Sequence, residues 1–456
     1  LSDAELLKRA ADLALDFLDG LPGRRVGPAV SIEELRSSLG GPLPERGDDP
    51  MTVLEHLARG ADPGLVAMAG PRYFGFVIGG HLPATLAADW LTSAWDQNAT
   101  LYVTSPANSV AEEVASAWLL DLLGLPPTAS VGFVTGGQMA NFTCLAAARH
   151  EVLRRAGWDV EADGLFGAPE IDVVLSTDAH VTILVALQML GLGRQRVRRV
   201  ATDDQGRMKI DSLREVLWEC AGPLIVCAAA GNVNTGSFDD LEEVVAAARE
   251  RGGWVHVDGA FGLWAAAAAD LRPLVQGADK ADSWAVDAHK WLNVPYDCGL
   301  AIVADAAAHK GSMNAAASYL QPSGSLRDPF DFTPEFSRRA RGFTVWAALR
   351  SLGRSGAAEL VERCCALARR MADRLRGEPG VEILNDVVLN QVVVRFGDSD
   401  ERTREVIRRV QEEGTCWLGG SNWHGRAVMR VSVSNWSTTE ADIDLAAEAI
   451  LRCWRT

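Results

Sequence analysis

Four times between residues 131 and 259, a short apolar run ends on glycine or polar residues and gives way to something else. Val131–Val134 runs into Thr135-Gly136-Gly137-Gln138 and an Ala-rich helical pattern. Ile171–Ser176 runs into Asp178-Ala179-His180 and a helix over 181–190. Leu224–Ala230 leads to Asn232-Val233-Asn234-Thr235-Gly236 and a helix over 241–250, and Trp254–Val257 ends in Asp258-Gly259. Runs of this length suit strands buried on both faces and are too short for helices. Strands alternating with helices predict an α/β fold, a mostly parallel sheet covered by helices on both sides. In such a sheet the strand ends share one edge, where ligands collect. Gly137, His180, Thr235 and Asp258 all occupy that kind of position.

The stretch from Trp254 to Leu300 adds the chemistry. Asp258 closes a buried strand, and Asp287-Ala288-His289-Lys290-Trp291 sets one lysine among apolar residues and an imidazole. A desolvated lysine amine is a nucleophile that forms a Schiff base with an aldehyde. A carboxylate at a strand end can pair with a pyridine nitrogen and keep it protonated. Together they describe a site for pyridoxal 5'-phosphate (PLP), a cofactor that carries the hard chemistry while the protein fixes its ring. Gly136-Gly137-Gln138 at a helix start frees backbone N–H groups for the phosphate. An imidazole such as His180 can stack on a planar ring.

The remainder fixes organisation and excludes other classes. Residues 1–20 and 31–39 read as amphipathic helices, the first capped by Ser2, and form an N-terminal helical arm over 1–69 suited to docking on a partner subunit. Residues 70–340 form the large domain, with helices over 83–94 and 112–123 and a further strand over 297–304. Tyr73–Ile78 reads as a strand or a pocket-lining loop. Residues 319–343 are irregular and suit a mobile lid. A long helix starts near Gly342, and 341–456 reads as a small α+β domain: helix 359–376, strands 381–385 and 391–396, helix 401–413, strand 428–434, helix 439–454. The net charge of −16 with no basic block excludes nucleic acid and anionic membrane as expected partners. No apolar run is long enough to span a bilayer. The eight cysteines show neither metal-ligand clustering nor a disulfide framework, and read as reduced core residues of a cytoplasmic protein. The chain begins at Leu1, so a natural start upstream or a removed leader stays open.

With these residues laid out, the chain resembles the group II PLP-dependent amino-acid decarboxylases, the family of aromatic-L-amino-acid decarboxylase. The likeness runs from about Gly70 to the C-terminus. Its most specific parts are HVDGA (256–260), DAHKWL (287–292), NTGSFDD (234–240), DAHVT (178–182) and SRRARG (337–342). The resemblance implies PLP fold type I and a homodimer with sites at the subunit interface. It makes Lys290 the Schiff-base lysine, Asp258 the partner of the pyridine nitrogen and His180 the stacking ring, with Ala260 near the other face. Thr235, Asp287 and His289 become further contacts, and Gly137 and Gln138 hold the phosphate. Phe76, Val77, Ile78 and Trp95 would line the side-chain pocket, which favours an aromatic or large apolar L-amino acid as substrate. No metal is implied.

Two departures stand out. Many relatives carry Ser or Thr followed by Glu in the phosphate loop, where this chain has Gln138-Met139. Family decarboxylases commonly carry a lid tyrosine that reprotonates the carbon left by CO₂ loss. Here the four tyrosines are Tyr73, Tyr102, Tyr296 and Tyr319, with none between 320 and 345, and Phe330 and Phe332 stand in that stretch. Phenylalanine at that point is associated in the family with aldehyde synthases, which consume O₂. A decarboxylase, an aldehyde-forming oxidative deaminase and a carbon–carbon lyase therefore compete. A nucleotide-binding dehydrogenase would want G-x-G-x-x-G after the first strand, and the chain has none there.

Overall fold

The computed structural model describes residues 2–313, 323–324 and 326–456. Seven strands form the large sheet: β1 (Ser130–Val134), β2 (Asp172–Ser176), β3 (Arg198–Val200), β4 (Leu224–Ala229), β5 (Trp254–Asp258), β6 (Ser283–Asp287) and β7 (Gly299–Val303). They lie in the order β1-β7-β6-β5-β4-β2-β3, and only β7 runs antiparallel to its neighbours. The mostly parallel sheet is as expected. The edge strand β3 and the strand β6 were not anticipated; the three residues of β3 give too little periodicity to read.

Burial explains the continuous apolar runs. β1, β6 and β7 are buried at every position, and Trp254, Trp264, Trp284 and Trp291 rank among the largest fully buried side chains. An aromatic side chain of this kind removes roughly 200 Å² from water. All eight cysteines are free and buried, as inert core residues should be.

The small C-terminal domain carries an antiparallel sheet, β8 (Val381–Ile383), β9 (Gln391–Phe396), β10 (Gly419–Trp423) and β11 (Arg426–Ser432), ordered β10-β11-β9-β8. β10 went unread because Gly419-Gly420-Ser421-Asn422 carries a turn-like composition. The expected break between two helices falls earlier, inside Gly342–Arg376, where Gly353 takes φ +60. Glycine meets that conformation without the steric penalty of a Cβ. A further helix, Pro50–Ala61, is capped by Asp49. The helix expected over 112–123 starts earlier, at Pro106, and runs to Leu123. No described helix is long and apolar enough to cross a membrane.

Tyr319, Gln321 and their neighbours over 314–322, together with Ser325, lie outside the described residues. The part that is described, 326–341, is pinned. Arg327 and Arg338 bind the fully buried Glu112, and Tyr102 N–H donates to Asp328 at 2.8 Å. Phe330 is buried against Phe336, and Phe332 packs edge-on to His309.

Candidate active site

One cleft at the C-terminal edge of the parallel strands is lined by His180, Asp258, Ala260 and Lys290, together with Asn232 and Val233. Each arrives by the route its strand dictates. Asp258 ends β5 and accepts N–H groups from Ala260 (3.2 Å) and from the Asn141 amide (3.4 Å). His180 caps the helix Val181–Met189, its Nδ1 accepting from the Thr182 hydroxyl at 2.7 Å. Lys290 lies in the turn after β6, where its Nζ meets Asp287 Oδ2 at 2.9 Å.

Asp287 is the pivot of this corner. His289 Nε2 lies 3.4 Å from its Oδ1, which has no well-formed hydrogen bond although it is buried. The Cys298 backbone N–H donates to His289 Nδ1 at 3.2 Å, leaving Nε2 to carry the ring proton. Burial lowers the pKa of both His289 and His180, so both rings are neutral at pH 7. The helix Gly137–Arg155 begins against the same carboxylate: a Cβ on Gly137 would sit 2.6 Å from Asp287 Oδ2. Gln138 is exposed in the first turn of that helix, its amide 4.0 Å from Met189 Sδ.

These residues fit PLP. An amine, a carboxylate at a strand end and a flat neutral imidazole line one cleft. The side-chain-free helix start lies against Asp287, the carboxylate that meets the amine and whose Oδ1 is buried without a partner among the described residues.

Thr235 is placed differently. It is fully buried, and its hydroxyl donates to the Gln205 carbonyl (2.6 Å) and meets Ser237 Oγ (3.0 Å). Its own carbonyl accepts from Asn385 of the small domain at 2.9 Å, so it ties the two sheets together beside the cleft. Of the expected pocket residues, Val77 is buried core. Ile78 packs near Tyr73 and Trp417. Phe76 is exposed, stacks on Trp417 at 5.9 Å and takes φ +56, a strained conformation for a bulky residue. Tyr73–Ile78 is a loop with one isolated bridge, Tyr73 to Trp417. It reaches the site because Gly79 lies so close to the Lys290 carbonyl that a Cβ there would collide with it. Trp95 stacks edge-on to Phe343, and no contact among the described residues joins it to the cleft of its own chain.

Two residues were missed. Arg430, in the middle of β11, donates to the carbonyls of Val233 at 2.8 Å and Phe76 at 3.3 Å, and has no carboxylate partner among the described residues. Burial draws its pKa down to about 10, which still leaves it charged. A lone arginine inside the apolar run Ala427–Val433 was the available signal. Tyr296 packs its ring on His289 at 4.4 Å, with burial pushing its phenol up to about 12.

Comparison with known proteins gives the family and the fold. The family described as "Pyridoxal-dependent decarboxylase conserved domain" matches residues 33–397. An aromatic-L-amino-acid decarboxylase of Bacillus atrophaeus is 26% identical over 95% of this chain and 91% of its own length. A human acidic amino acid decarboxylase is 29% identical over 77% of this chain and 68% of its own. A crystal structure of Oryza sativa TDC with PLP and tryptamine superposes with a TM-score of 0.92 at 25% identity, covering 99% of this chain and 97% of that one.

Proposed function

Because the chain belongs to the pyridoxal-dependent decarboxylase family, we propose that it converts an aromatic or large apolar L-amino acid to the amine and CO₂. The observation that carries this reading is the cleft itself, where Lys290, Asp258 and His180 face one another beside an arginine with no acid of its own. When bound, PLP supplies an electron sink for the pair of electrons left by CO₂ loss.

The chain's residues then divide the work. Lys290 would hold the cofactor, with Asp287 keeping its Nζ in place. Asp258 would hold a proton at the ring nitrogen. His180 and Ala260 would bind the two faces of the ring. The first turn of the helix Gly137–Arg155, with Gly137 and Gln138, binds phosphate through free N–H groups. Arg430 matches a substrate carboxylate: it is charged, desolvated and unpaired by any acid. The two relatives differ in the substrates their names give, so this chain's own surfaces must decide. Phe76, stacked on Trp417 at the carbonyl that Arg430 binds, offers an aromatic face, and this favours an aromatic substrate.

Tyr296 favours the amine over the aldehyde. Its protonated phenol packs against His289 and can return a proton to the carbon that loses CO₂. Phe330 and Phe332, the residues that would argue for an aldehyde, pack against Phe336 and His309 instead. A homodimer suits the arm: the helix Asp3–Gly20 buries none of its residues, and Leu7 and Leu15 are exposed on it. The buried, unpaired cysteines suit a reducing, cytoplasmic setting.

The test is a product assay on the PLP-loaded protein, in air, with L-tyrosine, phenylalanine, tryptophan, dihydroxyphenylalanine and glutamate. Amine without peroxide from the aromatic substrates is expected, with turnover falling about 10⁴-fold or more in Lys290→Ala. Aldehyde with ammonia and peroxide would replace the amine branch, and glutamate as the preferred substrate would overturn the substrate class.

A further inference from the structure

Behind Asp258 runs a chain of buried hydrogen bonds that the reaction does not touch. Trp254 Nε1–H donates to Ser283 Oγ at 2.9 Å. Ser283 Oγ lies 3.0 Å from His256 Nδ1, and His256 Nε2 lies 2.8 Å from Asn141 Oδ1. The Asn141 amide nitrogen then reaches Asp258 Oδ2 at 3.4 Å and Thr182 Oγ1 at 3.1 Å. Thr182 Oγ1 closes the path at His180 Nδ1, 2.7 Å away. His256 and Ser283 are wholly buried and Asn141 is nearly so.

The donor sense of the bonds follows from the Asp258 end. The indole donates to Ser283 Oγ, but a hydroxyl has a second lone pair as well as a proton, so that bond alone does not set His256. Burial holds this imidazole neutral, with its pKa lowered to about 4, so a single proton is available to be placed. At the other end Asp258 can only accept as a carboxylate, so it must meet the Asn141 NH₂ and not the carbonyl oxygen. That orientation turns Asn141 Oδ1 to His256 Nε2, which must therefore carry the ring proton, and Ser283 gives its own proton to Nδ1. The second NH₂ proton goes to Thr182 Oγ1, which leaves the threonine hydroxyl to donate to His180 Nδ1. The Thr182 backbone N–H also points at that nitrogen, from 3.4 Å. His180 is therefore an Nδ1 acceptor and carries its proton on Nε2.

We propose that Asn141 and His256 are positioning residues: one buried amide, locked by His256, fixes the orientation of the Asp258 carboxylate and the tautomer of His180 together. The inference rests on the reading of Asp258 and His180 as cofactor contacts. Its content is that two site groups from different strands are set by one side chain 115 residues upstream of the histidine that locks it.

The test uses the holoenzyme with Asn141→Leu, His256→Leu and His256→Gln, the last of which keeps an N–H near the position of Nε2. Turnover, the PLP dissociation constant by absorbance titration, thermal midpoint and ¹⁵N-histidine spectra are measured on each. Loss of one hydrogen bond to a charged group predicts about tenfold weaker PLP binding and about tenfold lower kcat in Asn141→Leu and His256→Leu. The His180 ¹⁵N signals should move from a pure Nε2–H pattern to a tautomer mixture in both, and His256→Gln should restore them. A purely structural role would lower the thermal midpoint and leave those signals alone. Should Asn141→Leu fail to fold, the His256 pair carries the test by itself. The proposal is overturned if His256→Leu keeps the wild-type His180 signals and PLP affinity, or if His256→Gln is as impaired as His256→Leu. Asp258→Asn separates the causes. If it too leaves PLP binding and turnover intact, the site reading has failed; if it is crippled while Asn141→Leu is not, only the positioning network has failed.

Discussion

Around Glu112 the acid is surrounded by its opposites, whereas around Lys290 several charges lack theirs. Glu112 is fully buried, with Oε1 taken by Asn108 and Arg338 and Oε2 by Arg327. Further guanidinium N–H groups go to the carbonyls of Val131 (2.6 Å) and Phe133 (3.0 Å) on β1, while Arg338 Nε is buried without a hydrogen-bond partner among the described residues. Burial pushes the Glu112 carboxyl up, but Arg338 and Arg327 outweigh it and hold it below the usual carboxylate range. In the cleft, Asp258 meets only amide N–H groups, Arg430 meets only carbonyls, and Asp287 keeps an open oxygen. Charge that is saturated within the chain holds structure together. Charge left unsaturated in a cleft is reserved for a ligand, because its burial has a cost that only a ligand offsets.

Glu112→Gln should produce the largest effect. It strands two buried arginines without their acid, and breaking such a pair costs about 3–5 kcal/mol. Urea denaturation should show that loss, while PLP affinity per folded molecule stays at the wild-type value. If stability hardly changed and PLP affinity collapsed, the cluster would belong to the site and the contrast would disappear.

Arg430→Met should do the reverse at smaller scale. Removing a desolvated cation with no acid partner should change stability by less than about 1 kcal/mol, with either sign. Its loss should reduce kcat/KM by about 10- to 100-fold, the worth of a hydrogen-bonded charge, with the greater part in KM. A large stability loss with unchanged KM would move Arg430 into the structural class.

The same contrast explains what could be read from the sequence. Asp258 and His180 stand at strand ends, and the flanking runs point to those positions without knowledge of the fold, whereas Lys290 stands out as one lysine among apolar residues and an imidazole. The parallel sheet follows from the same runs. Arg430 was hidden because its meaning is the absence of a partner, which only three dimensions reveal. Asn141 looks like one polar residue in an Ala-rich helix, and His256 like one in a core strand; they matter because the fold brings 141 to 256. Over 326–341 the prolines signal irregular backbone and say nothing of the ion pairs that Arg327 and Arg338 make with Glu112. Thr235 sits in a motif that places it correctly in the chain, yet its hydroxyl turns toward Gln205, a choice made by loop geometry.

Each region also contains a buried neutral histidine, which gives the smallest effect. His256 belongs to the network behind Asp258, and burial lowers its pKa from 6.5 to about 4. His309 lies beside the Glu112 cluster, bound to Ser130 at 2.8 Å and close to Arg327, and burial, then Arg327, lowers its pKa from 6.5 to about 3. Both values are depressed in the folded state, so the unfolded chain takes up these protons first as pH falls. The stability they allow is complete above about pH 6.5 and is lost progressively as pH falls toward 4 and 3. Between pH 7.5 and 5.5 each should withdraw about 1 kcal/mol, in a window above the titration of ordinary carboxylates. His180 and His289 shift in the same direction, so the comparison must be made between variants and not on the wild type alone. His309→Gln should lose about 1 kcal/mol less than wild type across that window, with no change in PLP affinity. His256→Gln should show a similar reduction while retaining PLP affinity, because it keeps the N–H to Asn141. If either variant lost as much stability as wild type on acidification, its histidine would not be buried as a neutral ring.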